Sequence, residues 1–252
     1  MTKATLRNQR NNCSAKHNDR TNITYDEVKE ENNRFYVQRA GRDDFSRMKQ
    51  NKNGTMELCE IQIYEHEFGS WLKKRNAKEL RNRHPDWVMT MEQVYKSDRY
   101  RPEETIYQIG ASQNGTDLKD VATFEKILFA TLKKEQEMFP QVRILSVSIH
   151  ADESALHAHV RKMYITQKNE PGMEKTLQEM GIERPNSEKK SGKYNNRKIT
   201  YTKQSREIWY EEIEQNLGIT IDRNVKTPSR KRKTKLEYEC EVMEARLNEL
   251  KS

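Results

Sequence analysis

The segment Ser146-Val-Ser-Ile-His150-Ala-Asp-Glu153-Ser-Ala-Leu-His157-Ala-His159-Val160 holds three of the chain's six histidines within ten residues. Apolar, β-rich runs flank it on both sides. Side chains on a strand alternate faces, so His157 and His159 point the same way, and His150 ends a preceding strand that can pair back antiparallel. Three imidazoles then converge on one spot. On the first strand Leu145, Val147 and Ile149 are expected on the core face, with Ile144, Ser146, Ser148 and His150 on the other; on the second, His157, His159 and Arg161 share a face. Neutral imidazoles beside a carboxylate suit a divalent transition metal such as manganese, whereas a structural zinc site more often recruits thiolates. Cys13, Cys59 and Cys240 are too scattered to supply a thiolate cluster. The expected ligands are therefore His150, His157 and His159, with Glu153 beside them. The bland alternative, polar residues of an ordinary turn, leaves the regular alternation on both strands without a cause.

Composition points to a polyanionic partner. The chain has 252 residues, 47 Lys plus Arg against 39 Asp plus Glu, and 33% hydrophobic residues, enough for one modest core with extended polar elements but not for a second full-sized domain. The basic excess is unevenly placed. Seven basic and no acidic residues fall between Arg223 and Lys235, and six basic residues against Glu188 alone between Asn186 and Lys203. Such clusters suit a phosphate backbone; the alternative for Arg230-Lys231-Arg232-Lys233 is a solvated linker or a localisation-type signal. No window approaches the roughly 18 apolar residues of a membrane span, and the start, Met-Thr-Lys-Ala-Thr-Leu-Arg-Asn, has no apolar signal core. Three distant cysteines fit a reducing compartment, so a cytoplasmic location is expected.

Periodicity supplies the remaining elements. A short strand is expected at 4–7, then a polar loop to Arg20; a helix from Leu58 to about Arg83 with Ile61, Tyr64, Phe68, Trp71 and Leu72 on one side; a helical turn at 91–95; and a strand at 105–109. Val121, Phe124, Ile127, Leu128 and Leu132 make an amphipathic helix that Pro140 stops. After the histidine hairpin come a short helix at 173–180, an extended piece at 199–202, a helix at 204–217 stopped by Gly218, and an edge strand at 219–221. Leu236, Cys240, Met243, Leu247 and Leu250 form an a/d seam two heptads long, the start of a coiled-coil helix that needs a partner, with a homodimer as one arrangement.

Lys16-His17-Asn18-Asp19-Arg20, the His150-x-x-Glu153-x-x-x-His157-x-His159 hairpin and Lys193-Tyr194-Asn195-Asn196-Arg197-Lys198 together resemble the Mob/Pre family of plasmid mobilisation and recombination proteins, a branch of the HUH relaxases. The resemblance covers roughly residues 1 to 222 in order of elements. It implies an α+β, two-layer HUH-type fold, a mostly antiparallel sheet with helices packed on it, as a relaxase domain over 1–222. A basic linker at 223–235 and a helical extension at 236–252 would follow. It also implies a strand transferase dependent on Mn2+ or Mg2+ that nicks one strand of DNA at an origin of transfer, on single-stranded or supercoiled substrate. The enzyme would stay attached to the 5′ phosphate and rejoin the strand.

By the same resemblance His17 is the nucleophile, Arg20 holds a phosphate oxygen, Asn18 or Asp19 orients the ring, and Glu153 is a fourth metal ligand or the base. Arg161, Lys193, Asn195, Asn196, Arg197, Lys198, Arg230, Lys231, Arg232 and Lys233 are the expected nucleic-acid contacts. Ala155-Leu156 stands where many relatives have Thr-Pro. A replication initiator or transposase using Tyr25, Tyr36, Tyr164, Tyr194 or Tyr201 is the rival within the class. A non-catalytic nucleic-acid-binding protein with a structural metal and a small-substrate metallohydrolase are the rivals outside it.

Overall fold

Val142–His150, with β-branched Val142, Ile144, Val147 and Ile149, pairs antiparallel with His157–Tyr164, and the rest of the sheet grows outward from this hairpin. The computed structural model describes residues 4–9, 15–18, 33–41, 44–48, 55–110, 120–151, 155–223 and 243. Its strands are β1 (Ala4–Gln9), β2 (Arg34–Gln38), β3 (Phe45–Met48), β4 (Glu103–Ile109), β5 (Val142–His150) and β6 (His157–Tyr164). Its helices are α1 (Ala15–Asn18), α2 (Thr55–Arg81), α3 (Met91–Lys96), α4 (Val121–Met138), α5 (Met173–Glu179) and α6 (Arg197–Leu217), with a 3-10 turn at Pro85–Trp87. The strands form one sheet in the order β1-β4-β6-β5-β2-β3, every neighbouring pair antiparallel. This is the α+β sheet with helices packed on it that the sequence predicts. The chain divides into a compact unit ending at Ile221 and a second unit from Asp222. The basic run from residue 224 on and the coiled-coil seam, Met243 excepted, lie outside the described residues.

Helices cover both sheet faces. On one, Tyr36, Tyr107, Val147, Ile149 and Val160 pack against Phe124, Ile127 and Leu128 of α4 and Trp209 and Ile213 of α6. On the other, Leu145 and Met163 meet Ile63, Tyr64 and Phe68 of α2 and Val94 and Tyr95 of α3. The expected assignment of Leu145 and Ile144 is reversed. Register runs Ile144↔Lys162 and then Ser146↔Arg161, so Leu145 is the extra residue of a bulge. A bulge shifts alternation by one. It sends Ile144 to the α4/α6 side and Leu145 to the α2/α3 side.

Local chemistry sets the helix ends. Thr90 and Gln93 make a reciprocal capping box for α3, Asp120 caps α4, and Gly218 closes α6 in the left-handed region at φ 63. Three expectations fail. Ile199–Thr202 is helical: the β-branched residues favour extension, but the Asn196 cap and the stripe of Tyr201, Ser205, Ile208 and Trp209 buried along α6 override that preference. The segment 219–221 shortens to a single β-bridge at Ile221. Residues 15–18 are a helical turn rather than loop, and β2 and β3, five and four residues long, give too short a periodic signal to be read.

Two buried ion pairs join helices to the central strand. Arg161 Nε lies 3.0 and 2.9 Å from the two oxygens of Glu60 on α2, and the same carboxylate accepts from Ser146 at 2.5 Å and Tyr95 at 2.6 Å. Lys162 Nζ, on the opposite face, donates to Glu135 of α4 at 2.6 Å and to the Tyr107 hydroxyl at 2.7 Å. Among the described residues no helix is long and apolar enough to cross a membrane. Removing one partner of such a pair strands a buried charge. Glu60→Ala is therefore expected to cost about 3–5 kcal/mol in urea unfolding, while Glu92→Ala, which breaks an exposed pair with Lys96, leaves the unfolding midpoint close to the parent's. Equal losses would show that Glu60 contributes no more than a surface charge.

Candidate metal centre

His150 ends β5 opposite His157 at the start of β6, and His159 follows two residues later on the same face. The sheet register alone thus produces the convergence. One ligand atom from each of the three lies within 4.8 Å of the others. His150 and His159 are buried and His157 partly so.

Each ring is held by its far nitrogen. His157 Nδ1 lies 2.8 Å from the Ala155 carbonyl, His159 Nδ1 2.8 Å from Glu104 Oε1, and His150 Nε2 3.0 Å from the Asn18 carbonyl. A carbonyl or carboxylate oxygen only accepts, so in the neutral rings these nitrogens carry the protons. The lone pairs are then on His157 Nε2, His159 Nε2 and His150 Nδ1. The two Nε2 atoms are 3.0 Å apart. Two lone pairs at that distance repel unless a cation sits between them, so the donor set fits a divalent metal. Three imidazoles suit a transition-metal ion, Mn2+ among them, better than Mg2+, which prefers oxygen ligands.

Glu104 is the residue the sequence reading missed. It lies on β4 opposite Arg161 and is almost wholly buried. Besides His159 it accepts Asn18 Nδ2 at 2.7 Å, and Arg161 Nη1 lies 3.8 Å away. Burial alone would raise its pKa, but the His159 and Asn18 hydrogen bonds and the Arg161 charge hold the carboxyl below the usual carboxylate range. A carboxylate behind a metal-ligating histidine fixes the ring and raises its basicity. An acidic pair, Glu103-Glu104, opening an apolar strand was the available signal.

Asn18 ties α1 to the centre twice, through its carbonyl on His150 and its side chain on Glu104. His17 precedes it on the same turn, so its backbone adjoins the cluster, while its side chain, together with Arg20 and Glu153, lies outside the described residues.

The expected nucleic-acid contacts fare differently. Arg161 is a correction: it is 3% exposed and committed to Glu60, which leaves no guanidinium face for phosphate. Asn195 and Asn196 staple their own loop, the first to the backbone of Asn186, Lys189 and Lys190, the second as the α6 cap. Arg197 sits between Glu174 and Glu183, and Lys198 is 2.5 Å from the buried Glu103. Lys193 is exposed, and residues 230–233 are outside the described set. Of the tyrosines, Tyr36 is bonded to Glu125, and Tyr164 and Tyr201 are buried on the α4/α6 side, where burial pushes the Tyr201 phenol up to about 12. Tyr194 is 81% exposed in a loop, and Tyr25 lies outside the described residues.

Two outcomes are expected. By calorimetry, His157→Ala with His159→Ala abolishes Mn2+ binding, and Glu104→Gln weakens it roughly 10–100-fold while leaving all three imidazoles in place. Unchanged affinity in the double variant would remove the metal assignment. In chelator, because the folded-state pKa of Glu104 is depressed, its contribution to stability is fully present above its unfolded value of about 4.3 and is lost as pH falls through the folded value. Acid unfolding below about pH 4.3 should therefore be steeper in the parent protein than in Glu104→Gln; parallel curves would contradict it.

Comparison of the chain with protein families, with curated proteins and with solved structures gives no match.

Proposed function

We propose that the protein is a metal-dependent DNA strand transferase that nicks and rejoins one strand through a covalent intermediate, with His17 as nucleophile. The observation that carries this reading is the double anchorage of α1: the turn bearing His17 is fastened, through Asn18, to both His150 and the Glu104 that holds His159. A loop histidine without a task needs no such attachment. The unusual density of basic residues at 186–203 and 223–235 supports a phosphodiester substrate over a small one.

In this reading a divalent ion held by His150, His157 and His159 would supply charge neutralisation at the non-bridging oxygens of the scissile phosphate. A neutral His17 nitrogen attacks phosphorus in line; a P–N bond forms, the P–O3′ bond breaks, and the 3′ oxygen leaves as a hydroxyl. The 5′ phosphate is then carried as a phosphoramidate, and attack by a 3′ hydroxyl reverses the step. Asn18 keeps the turn in register with the cluster, and Arg20 neutralises phosphate charge. Glu153 passes the proton lost by the His17 ring to the departing 3′ oxygen, or completes the ligand set and leaves that transfer to solvent. The DNA would be an origin of transfer on a plasmid or mobile element, and the helical extension at 236–252 a dimer contact. A tyrosine mechanism is less favoured, because Tyr36, Tyr164 and Tyr201 are buried on the face away from the histidines.

Incubation with supercoiled plasmid and with single-stranded oligonucleotide pools plus Mn2+, followed by a denaturing gel, is expected to show a protein–DNA band. Brief acid should cleave it and mild alkali spare it. The band should vanish in His17→Ala, which keeps metal and DNA binding, and persist in Tyr25→Phe and Tyr194→Phe. An acid-stable adduct, or one mapped to a tyrosine, would overturn the histidine mechanism; no adduct under any condition would overturn strand transfer.

A further inference from the structure

A groove of about 660 Å3 opens along β1 against the first turns of α6, lined by Asn8, Lys193, Lys198, Thr202, Lys203 and Arg206 among others, with no carboxylate among the described residues of its lining. It is separate from the metal centre. Asn8 is paired with Thr105, and Thr105 with Val160, a residue of the α4/α6 core, whereas His159 and Arg161, on either side of Val160, point to the opposite face. Its floor is preset: Asn8 donates to Thr202 Oγ1 at 2.8 Å and accepts from Thr105 Oγ1 at 2.8 Å. Lys198, Thr202 and Arg206 recur every four residues along α6, about 6 Å apart, close to the separation of successive phosphates on an extended strand. Lys198 is offset by Glu103 beneath it, and Arg206 reaches the Leu6 carbonyl with one nitrogen, which fixes both heads along the groove.

We infer that this groove binds the phosphodiester backbone of a single nucleic-acid strand, without reading its bases, on the sheet face opposite the metal centre. This rests on the proposed function only for the class of partner, not for its chemistry. Lys193, Lys203 and Arg206 supply the net charge, Thr202 and Asn8 the neutral donors. β1 is an edge strand of the described sheet, with β4 between it and the histidine-bearing β6.

The test is a salt series of fluorescence anisotropy titrations of the full chain in chelator with labelled random-sequence single strands. Three lost contacts should flatten the log–log salt slope by about 2 in Lys193→Gln/Lys203→Gln/Arg206→Gln, at about 0.7 per phosphate on single strands. Mn2+ affinity should be unchanged. The control is Lys73→Gln/Lys74→Gln/Lys78→Gln, three exposed cations of α2, which should leave the slope near the parent's. An unchanged slope in the groove variant, an equal fall in the α2 control, or displacement of the strand by polyglutamate as effective as by unlabelled DNA would each overturn the groove. Strand binding through the groove with no covalent adduct would retire strand transfer and keep the groove; an adduct with an unaltered groove-variant slope would do the reverse.

Discussion

Arg161 and Lys162 are consecutive on a strand buried on both faces, so one charge must point into each half of the interior. Neither can be left uncompensated, since an unpaired charge in the core costs several kcal/mol. Glu60 answers from α2 and Glu135 from α4. These two pairs fix how both helices lie on the sheet, and the position of α2 in turn sets what borders the histidines. Burial alone would lower Lys162, but Glu135 raises it well above its ordinary value, and Arg161 likewise stays charged because Glu60 more than offsets its desolvation.

The metal centre grows from the same strand. His159 lies two residues before Arg161, and Glu104 on β4 touches both, by a hydrogen bond to one and at 3.8 Å from the other. Charge compensation therefore runs without a break from α2 through Arg161 and Glu104 to His159 and, through Asn18, to α1. A perturbation at Glu60 should be felt at the imidazoles although the two are not in contact. The three candidate ligand rings are thereby held in orientation by hydrogen bonds from groups behind them.

The two sheet faces carry different residues. One side holds the histidines, the carboxylate behind them and the turn that bears His17; the other holds the larger apolar core, with a basic groove at its β1 margin.

The hairpin was legible because period two is a property of any extended chain: once Val142–His150 and His157–Tyr164 are strands, the three imidazoles must share a face. The helices at 55–81 and 121–138 were legible from their three- and four-residue apolar spacing, and the end of the second from Pro140. What tertiary structure decided were matters of partner rather than period. The bulge at Leu145 depends on which cluster each side of the sheet must fill. Ile199–Thr202 is helical because Tyr201 and Ser205 have an interior to enter. Arg161 looks like a phosphate contact until Glu60, 101 positions away, is brought to it. Glu104 reads as one more surface acid until β4 lies beside β6. Local sequence carries the faces a residue can choose between; only the folded chain supplies the opposite charge that makes one choice affordable.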